Sequence, residues 1–219
     1  MERNRQLEPA AALATMDALA ARVIALAAPI RFDVVRSAAE LGAVYRLRYE
    51  VVVGRGWVRP EDFPDQQERD HFDDDATHIV GWDGERLAVV ARAVFPAPGR
   101  PLPTEAGFAL KIEPAGQVVD WSRHIVARAY TDRQHRLFAG LLGRSWLEVR
   151  ARGYARVCGN VTPAMIRVYR RVGIRLTILG PARPYWGEER YPVLFDVEGS
   201  VPSLLARFGD PAQPPDGGG

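Results

Sequence analysis

The sequence predicts an α/β fold: one mixed sheet flanked by helices, with an extra amphipathic helix at the N-terminal end. Three observations carry this. Apolar patterns of period two and 3.6 follow one another as strand, helix, several antiparallel strands, then strand–helix–strand–helix–strand. One strand-like run, "LAVVARAVF" at 87–95, is apolar at both parities, as a central strand covered on both faces is. The length of 219 residues suits one domain with an appendage. The boundaries expected are a helical extension over 1–30, a single domain over 31–208 and a disordered tail over 209–219.

The elements follow in order. Residues 8–28 place Leu13, Met16, Leu19 or Ala20, Val23 and Leu26 on one helical stripe. Asp17 and Arg22 interrupt the apolar run, so a helix packed on the domain or on a second subunit is expected, and no membrane span. "RFDVVRS" (31–37) reads as a strand, and 37–53 as a helix with Ser37 as N-cap and Glu40 three residues on. A Gly/Pro/Asp-rich loop over 54–75 precedes a hairpin, "ATHIVGW" and "RLAVVARAVF", turning on Asp83-Gly84-Glu85. Residues 96–107 read as a loop, and "GQVVDWSRHIVA" (116–127) as a strand after a turn at Pro114 and Gly116. A long helix over 131–153 is expected, capped by Thr131 and closed by Gly153. Then come a strand (154–160), a helix with Pro163 in its first turn (162–173), and strands at 174–179 and 190–197.

The formal net charge of +2 gives no argument for nucleic acid. The 29 basic residues are all arginine except Lys111, and arginine suits bidentate contacts to carboxylates. The single Cys158 excludes an internal disulfide and a cysteine zinc site, which fits a reducing, cytoplasmic setting. His71, His78, His124 and His135 have no metal-like spacing, and no metal is expected.

The informative charges are those on inward faces. The first domain helix puts Arg48 in the stripe Leu41, Tyr45, Arg48, Val52. Period two puts Arg92 with Ala88, Val90 and Val94. In "VVDWSRHIV", Asp120, Ser122 and His124 share one face, and Arg123 lies on the other between Trp121 and Ile125. An unpaired buried charge costs several kcal/mol even after relaxation. Arg48, Arg92 and Arg123 therefore require carboxylates, and Asp70, Asp73 and Asp120 are the expected suppliers. The acidic segment "ERDHFDDDATHIV" (68–80) is expected to fold back over the sheet. Asp65, Glu68, Asp74 and Asp75 read as a solvated loop face.

"YRLRYEVVVGRGW", "ERDHFDDDATHIV", "VVARAVF", "VDWSRHIV" and "NVTPAMIRVYRRVGI" together resemble the acyl-homoserine-lactone synthases of the GNAT N-acyltransferase superfamily, over roughly residues 31–197. The resemblance implies a GNAT-like domain. It implies an N-acyltransferase moving an acyl group from acyl-ACP or acyl-CoA to S-adenosylmethionine, giving a quorum-sensing lactone. No permanently bound cofactor is implied. The residues matching the family's S-adenosylmethionine pocket are Arg48, Trp57, Asp70, Phe72, Asp73 and Arg92. Asp120, Ser122 and Arg123 match its catalytic acid-x-Ser-Arg strand, whose acid is the favoured general base. Asp120 is expected to face a polar cleft, with its carboxyl pKa lowered by arginines and His124 next in line as base.

Departures are visible. Asp120 stands where the family usually has Glu, and Val52 where an aromatic is common. "AVFPAPGRPLPT" displaces Pro103-Thr104 from the family's Leu-Leu-Pro-Thr. That segment and "RVYRRVG" are also similar to the N-acyl amino acid synthases, which set a second reading. A third, of another class, is a non-catalytic binder of acyl carriers. "ARAYTDRQHRLFAG" replaces the Gly-rich phosphate loop usual in GNAT enzymes, leaving Arg128, Arg133 and Arg136 to meet coenzyme A phosphate or an acidic carrier protein. Tyr169 resembles the thiolate-protonating Tyr of GNAT enzymes and reads equally well as core. A homodimer through the N-terminal helix is the partner expected beyond the substrates.

Overall fold

A computed structural model describes residues 8–209, so the expected tail, apart from Gly209, lies outside the described residues. The strands are β1 (Arg31–Val34), β2 (Thr77–Asp83), β3 (Arg86–Val94), β4 (Val118–Val126), β5 (Arg156–Val161), β6 (Arg175–Ile178), β7 (Arg183–Tyr185) and β8 (Glu188–Asp196). They form one eight-stranded mixed sheet in the order β1-β2-β3-β4-β5-β8-β6, with β7 paired to β8. Only the β4–β5 pair among those ladders is parallel. The helices are α1 (Pro9–Leu26), α2 (Ala38–Gly54), α3 (Pro103–Phe108), α4 (Gln134–Ala151), α5 (Pro163–Val172) and α6 (Val197–Phe208).

The local chemistry explains most of these. Ser37 caps α2 by accepting from the Glu40 N–H at 3.2 Å, as the Ser-x-x-Glu spacing requires. Gly84 takes φ +59° in the β2–β3 turn. β3 is buried from Ala88 to Val94 between β2 and β4, so the both-parity apolar run is a central strand. Thr162 caps α5, accepting from Met165 at 3.2 Å, and Gly173 closes it at φ +92°.

Four expectations need correction. Residues 103–108 form α3 instead of loop, with Pro103 at its start. Thr131 does not cap the long helix: a 3₁₀ segment, Arg128–Arg133, leads into α4, and the Thr131 hydroxyl donates to the Arg128 carbonyl at 3.2 Å. β7 and α6 were not expected at all. β7 has three residues, too few to show a period, and Pro202 lies inside α6.

α1 lies along α4 and α6, with Leu13 and Met16 against the same core as β3. Gly143 permits this approach, because a Cβ there would sit 2.7 Å from the Ala20 carbonyl. Asp17, the residue that breaks the apolar run, accepts from Trp146 Nε1 at 2.6 Å and Arg150 Nε at 3.3 Å. The buried stripe ends on Ala27, while Leu26 is exposed. By length and composition alone α1 is apolar enough to cross a membrane.

Candidate active site

β4 and β5 pair only from Val118 to Trp121 against Arg156 to Gly159. Beyond that point β4 continues along β3 and β5 along β8, so the two strands fork. Gly159 sits at the crotch, where a Cβ would lie 2.7 Å from the Trp121 carbonyl oxygen. On the other side of β4 the register slips between Val90 and Arg92: Val90 pairs with Ile125 and Arg92 with Ser122. β4 thus carries one extra residue, and Arg123 within it has φ +57°.

The bulge reverses the alternation read from the sequence. Arg123 joins Arg92 and Ser122 on the site face instead of facing away. His124 takes the opposite face, edge-on to Trp121 and to Phe138 of α4. Its Nε2 is buried without a hydrogen-bond partner, and burial pushes its pKa down to about 4. His124 is therefore a neutral packing residue, turned away from the face on which Asp120 and Ser122 were expected to keep it.

Three guanidinium groups and three carboxylates interlock above this face. Arg48 of α2, wholly buried, donates Nη1 and Nη2 to the two oxygens of Asp73 at 2.8 and 3.0 Å. Its Nε donates to Glu68. Arg92 of β3, also wholly buried, donates Nη1 to Asp70 at 2.6 Å and Nε to Ser122 Oγ at 3.1 Å, with Asp73 3.1 Å from the same Nη1. Arg123 closes the ring, donating to Glu68 at 3.1 and 3.2 Å and to Asp70 at 2.9 Å. The acidic loop thus folds back over the sheet as expected. It is fixed by the Asp70 N–H donating to Asp73 at 2.8 Å and the Phe72 N–H to Asp70 at 2.9 Å.

Burial pushes the Asp73 and Asp70 carboxyls up, but the guanidiniums outweigh it: Arg48 and Arg92 for Asp73, Arg92 and Arg123 for Asp70. Both end below the usual carboxylate range. Burial alone would lower the Arg48 pKa; Glu68 and Asp73 raise it instead. His78, 3.7 Å from Asp73, is pushed down to about 4 by burial and is neutral.

The third carboxylate of the network is Glu68, not Asp120. Glu68 is 1 % exposed, so the solvated-loop reading is wrong for it. The charge count gave no signal for it, because Asp70, Asp73 and Asp120 already matched the three arginines in number.

Asp120 sits beside the network, fully buried. Its Oδ2 accepts from the Thr104 N–H at 2.7 Å and lies 3.7 Å from Cys158 Sγ. α3 supplies Thr104, whose Oγ accepts from Asn160 Nδ2 at 3.4 Å. Burial raises the Asp120 pKa to about 6, against the opposing pull of Thr104 and Arg92. This overturns the expected open cleft and lowered pKa. Asp120 Oδ1 and Arg92 Nη2 are both buried without a hydrogen-bond partner. A buried acceptor and a buried donor on one face, each open, are the groups that a polar ligand would satisfy.

The other expected residues are placed as follows. Phe72 packs with Val94, Val118 and Cys158, its ring 5.9 Å from the Arg92 guanidinium. Trp57 stands off from the network, between Arg55 and Arg190 at 4.9 and 5.2 Å. Tyr169 packs against Phe138 and Phe195. Arg128, Arg133 and Arg136 are exposed around the start of α4. Arg133 and Arg136 line a cavity of about 150 Å³ with residues 27–30, and Arg136 donates to the Leu26 carbonyl at the end of α1.

No protein-family model matches the sequence. No curated protein matches it. Solved structures do. A coenzyme A-dependent acyl-homoserine lactone synthase, BjaI, solved with S-adenosylmethionine and isopentyl-CoA, aligns at a TM-score of 0.67 and 21% identity, over 83% of this chain and 90% of that one. TofI, solved with an inhibitor and MTA, aligns at 0.62 and 25% identity, over 83% and 98%. FeeM, an N-acyl amino acid synthase from uncultured soil microbes, aligns at 0.64 and 15% identity, over 82% and 97%. The chain has the GNAT-like acyltransferase fold that these proteins share.

Proposed function

We propose that the protein is an N-acyltransferase that moves an acyl group from a carrier thioester to the amine of S-adenosylmethionine. The acylated product then lactonises with loss of methylthioadenosine, giving an N-acyl-homoserine lactone signal. The observation that carries this reading is the pair of open buried groups, Asp120 Oδ1 and Arg92 Nη2, beside the β4–β5 fork. The likeness to BjaI, solved with both kinds of substrate, supports it.

The chemistry asks for a neutral amine near a thioester carbonyl and donors for the oxyanion. The amine nitrogen attacks the carbonyl carbon, the C–S bond breaks and the thiolate leaves. Asp120 takes one of the two protons that the ammonium loses on becoming an amide, directly or through one water, and the other goes to the departing thiolate. With a pKa of about 6, it is largely ionised at neutral pH and still a better base than an ordinary aspartate. Arg92, held by Asp70 and Ser122, offers Nη2 to the acceptor's carboxylate. Backbone N–H groups of β4 beyond Trp121, where β5 has forked away, are the donors proposed for the oxyanion.

The likeness to FeeM favours a second reading, an N-acyl amino acid synthase on the same site. An intact buried acid with an open oxygen disfavours a non-catalytic binder. Mass spectrometry of organic extracts from expressing cells separates the three. A lactone head group is expected, a free amino-acid head group would establish the second reading, and no acylated product would remove both.

Arg128 and Arg133 are the residues proposed to meet an acyl carrier protein or coenzyme A phosphate in the cytoplasm. Arg136 is less free for that role, because it holds the Leu26 carbonyl. Reversing Arg128 and Arg133 to Glu should raise the KM for acyl carrier protein about tenfold and that for free acyl-coenzyme A less, since carrier docking rests on a charged rim. Equal effects on both donors would remove carrier docking from this face.

A further inference from the structure

We propose that the β7–β8 turn, Tyr185-Trp186-Gly187, is the lid of the acceptor site, and that Trp186 is one of its binding residues. The binding role rests on the acyltransfer reading above; the lid does not. Asp120, Arg92 and Arg48 are wholly buried, yet Asp120 Oδ1 and Arg92 Nη2 await a partner. A substrate reaches them only if something moves.

The turn packs on their immediate neighbours, Arg123 of the network and the helix α3 that holds Asp120. The Trp186 ring stacks on the Arg123 guanidinium, with Cζ 3.5 Å from the ring centroid. Tyr185 lies against Phe108 at 5.6 Å, and its ring fills the space over Gly107, where a Cβ would meet it at 2.5 Å. Burial raises the Tyr185 hydroxyl pKa, and Arg123, Asp120, Arg92 and Asp70 all act on it, so the hydroxyl lies within electrostatic reach of both the network and the acid. Gly187 rests on Trp57, 2.6 Å from where its Cβ would be. The turn therefore touches the loop after α2, helix α3 and the β4 bulge together.

Its ties to the sheet are few: the short β8 ladder and Arg190 Nε donating to the Tyr185 carbonyl at 3.1 Å. β7 has three residues and pairs with β8 alone. Trp186 and Gly187 both have positive φ, +54° and +69°. That suits Gly187 and disfavours the bulky Trp186, so the closed turn is held by the stack on Arg123 more than by local preference. When the turn lifts, Trp186 leaves Arg123 and offers an aromatic face to a cationic acceptor such as a sulfonium. The sequence could not show this, because nothing in "YWGE" marks its contact with Arg123.

The test uses the full chain as the parent and as Trp186→Ala and Trp186→Phe. Amide hydrogen exchange over 120–126 decides the lid. It should speed up about tenfold in Trp186→Ala, the loss of one desolvated cation–π contact, and stay near parental in Trp186→Phe. Unchanged exchange in Trp186→Ala overturns the lid. Steady-state kinetics decide the binding role. The KM for S-adenosylmethionine should rise about tenfold in Trp186→Ala, and thioester hydrolysis without acceptor should rise as water enters. A lowered kcat with unchanged KM and hydrolysis overturns that role. Faster exchange in a chain whose parent transfers to no amine keeps the lid and removes the acyltransfer reading.

Discussion

Arg48→Ala is expected to destabilise the fold by about 3–5 kcal/mol, the usual cost of stranding a buried charge. Arg48 is wholly buried and fully used, with Asp73 on one side and Glu68 on the other. Removing it leaves two carboxylates, at most 1 % exposed as side chains, with less cation than they need. Against a total stability of about 5–15 kcal/mol, that is a large share. Arg92→Ala should cost less, about half as much on the same scale. Its partner Asp70 is 28 % exposed as a side chain, so water replaces part of what the guanidinium supplied, whereas both partners of Arg48 are sealed. Urea unfolding of both variants checks the order. A loss below 1 kcal/mol for Arg48→Ala would mean that water reaches the network and that the cluster is not a closed unit.

Asp120→Asn is expected to pull activity and stability in opposite directions. It keeps the shape and removes the base, so acyl transfer should fall by about 10²–10⁴-fold. Stability should rise. Folding raises the Asp120 pKa from 3.8 to about 6, so the folded chain holds this proton more tightly than the unfolded one. The associated stability is fully present below about pH 4 and is lost as pH rises through about 6. Two pKa units amount to roughly 2–3 kcal/mol. Asp120→Asn escapes that loss, so its advantage in Tm should open between pH 4 and 6 and then level off. Asp70 and Asp73, with lowered pKa values, have the opposite sign: their contribution is present above about pH 4 and lost on acidification. A variant no more stable than the parent at pH 8 would place water around Asp120. Asp120→Glu should retain activity if the added methylene is accommodated between Thr104 and Cys158.

The sheet, its central strand and the inward arginines were legible because each rests on periodicity plus one energetic rule, that buried charge is paired. Arg48, Asp70, Asp73 and Arg92 came together for that reason. What failed was local. One extra residue in β4 reversed the faces of Arg123 and His124, and a bulge leaves no mark on an alternating pattern. Glu68 was misread because a loop acid and a buried acid look alike without the contact map. Asp120 was expected to be solvated, since neither α3 nor the Tyr185 turn that cover its surroundings was visible as structure in the sequence. The displaced Pro103-Thr104 was noticed as a departure, and it proved to be the start of the helix that holds Asp120.

The most direct test is thiol release from an acyl thioester by the purified protein, followed against pH with and without S-adenosylmethionine. The account predicts acceptor-dependent release that climbs with pH up to about 6, levels above it, and is lost in Asp120→Asn. Release that ignores the acceptor, or a profile that Asp120→Asn leaves unchanged, would contradict it.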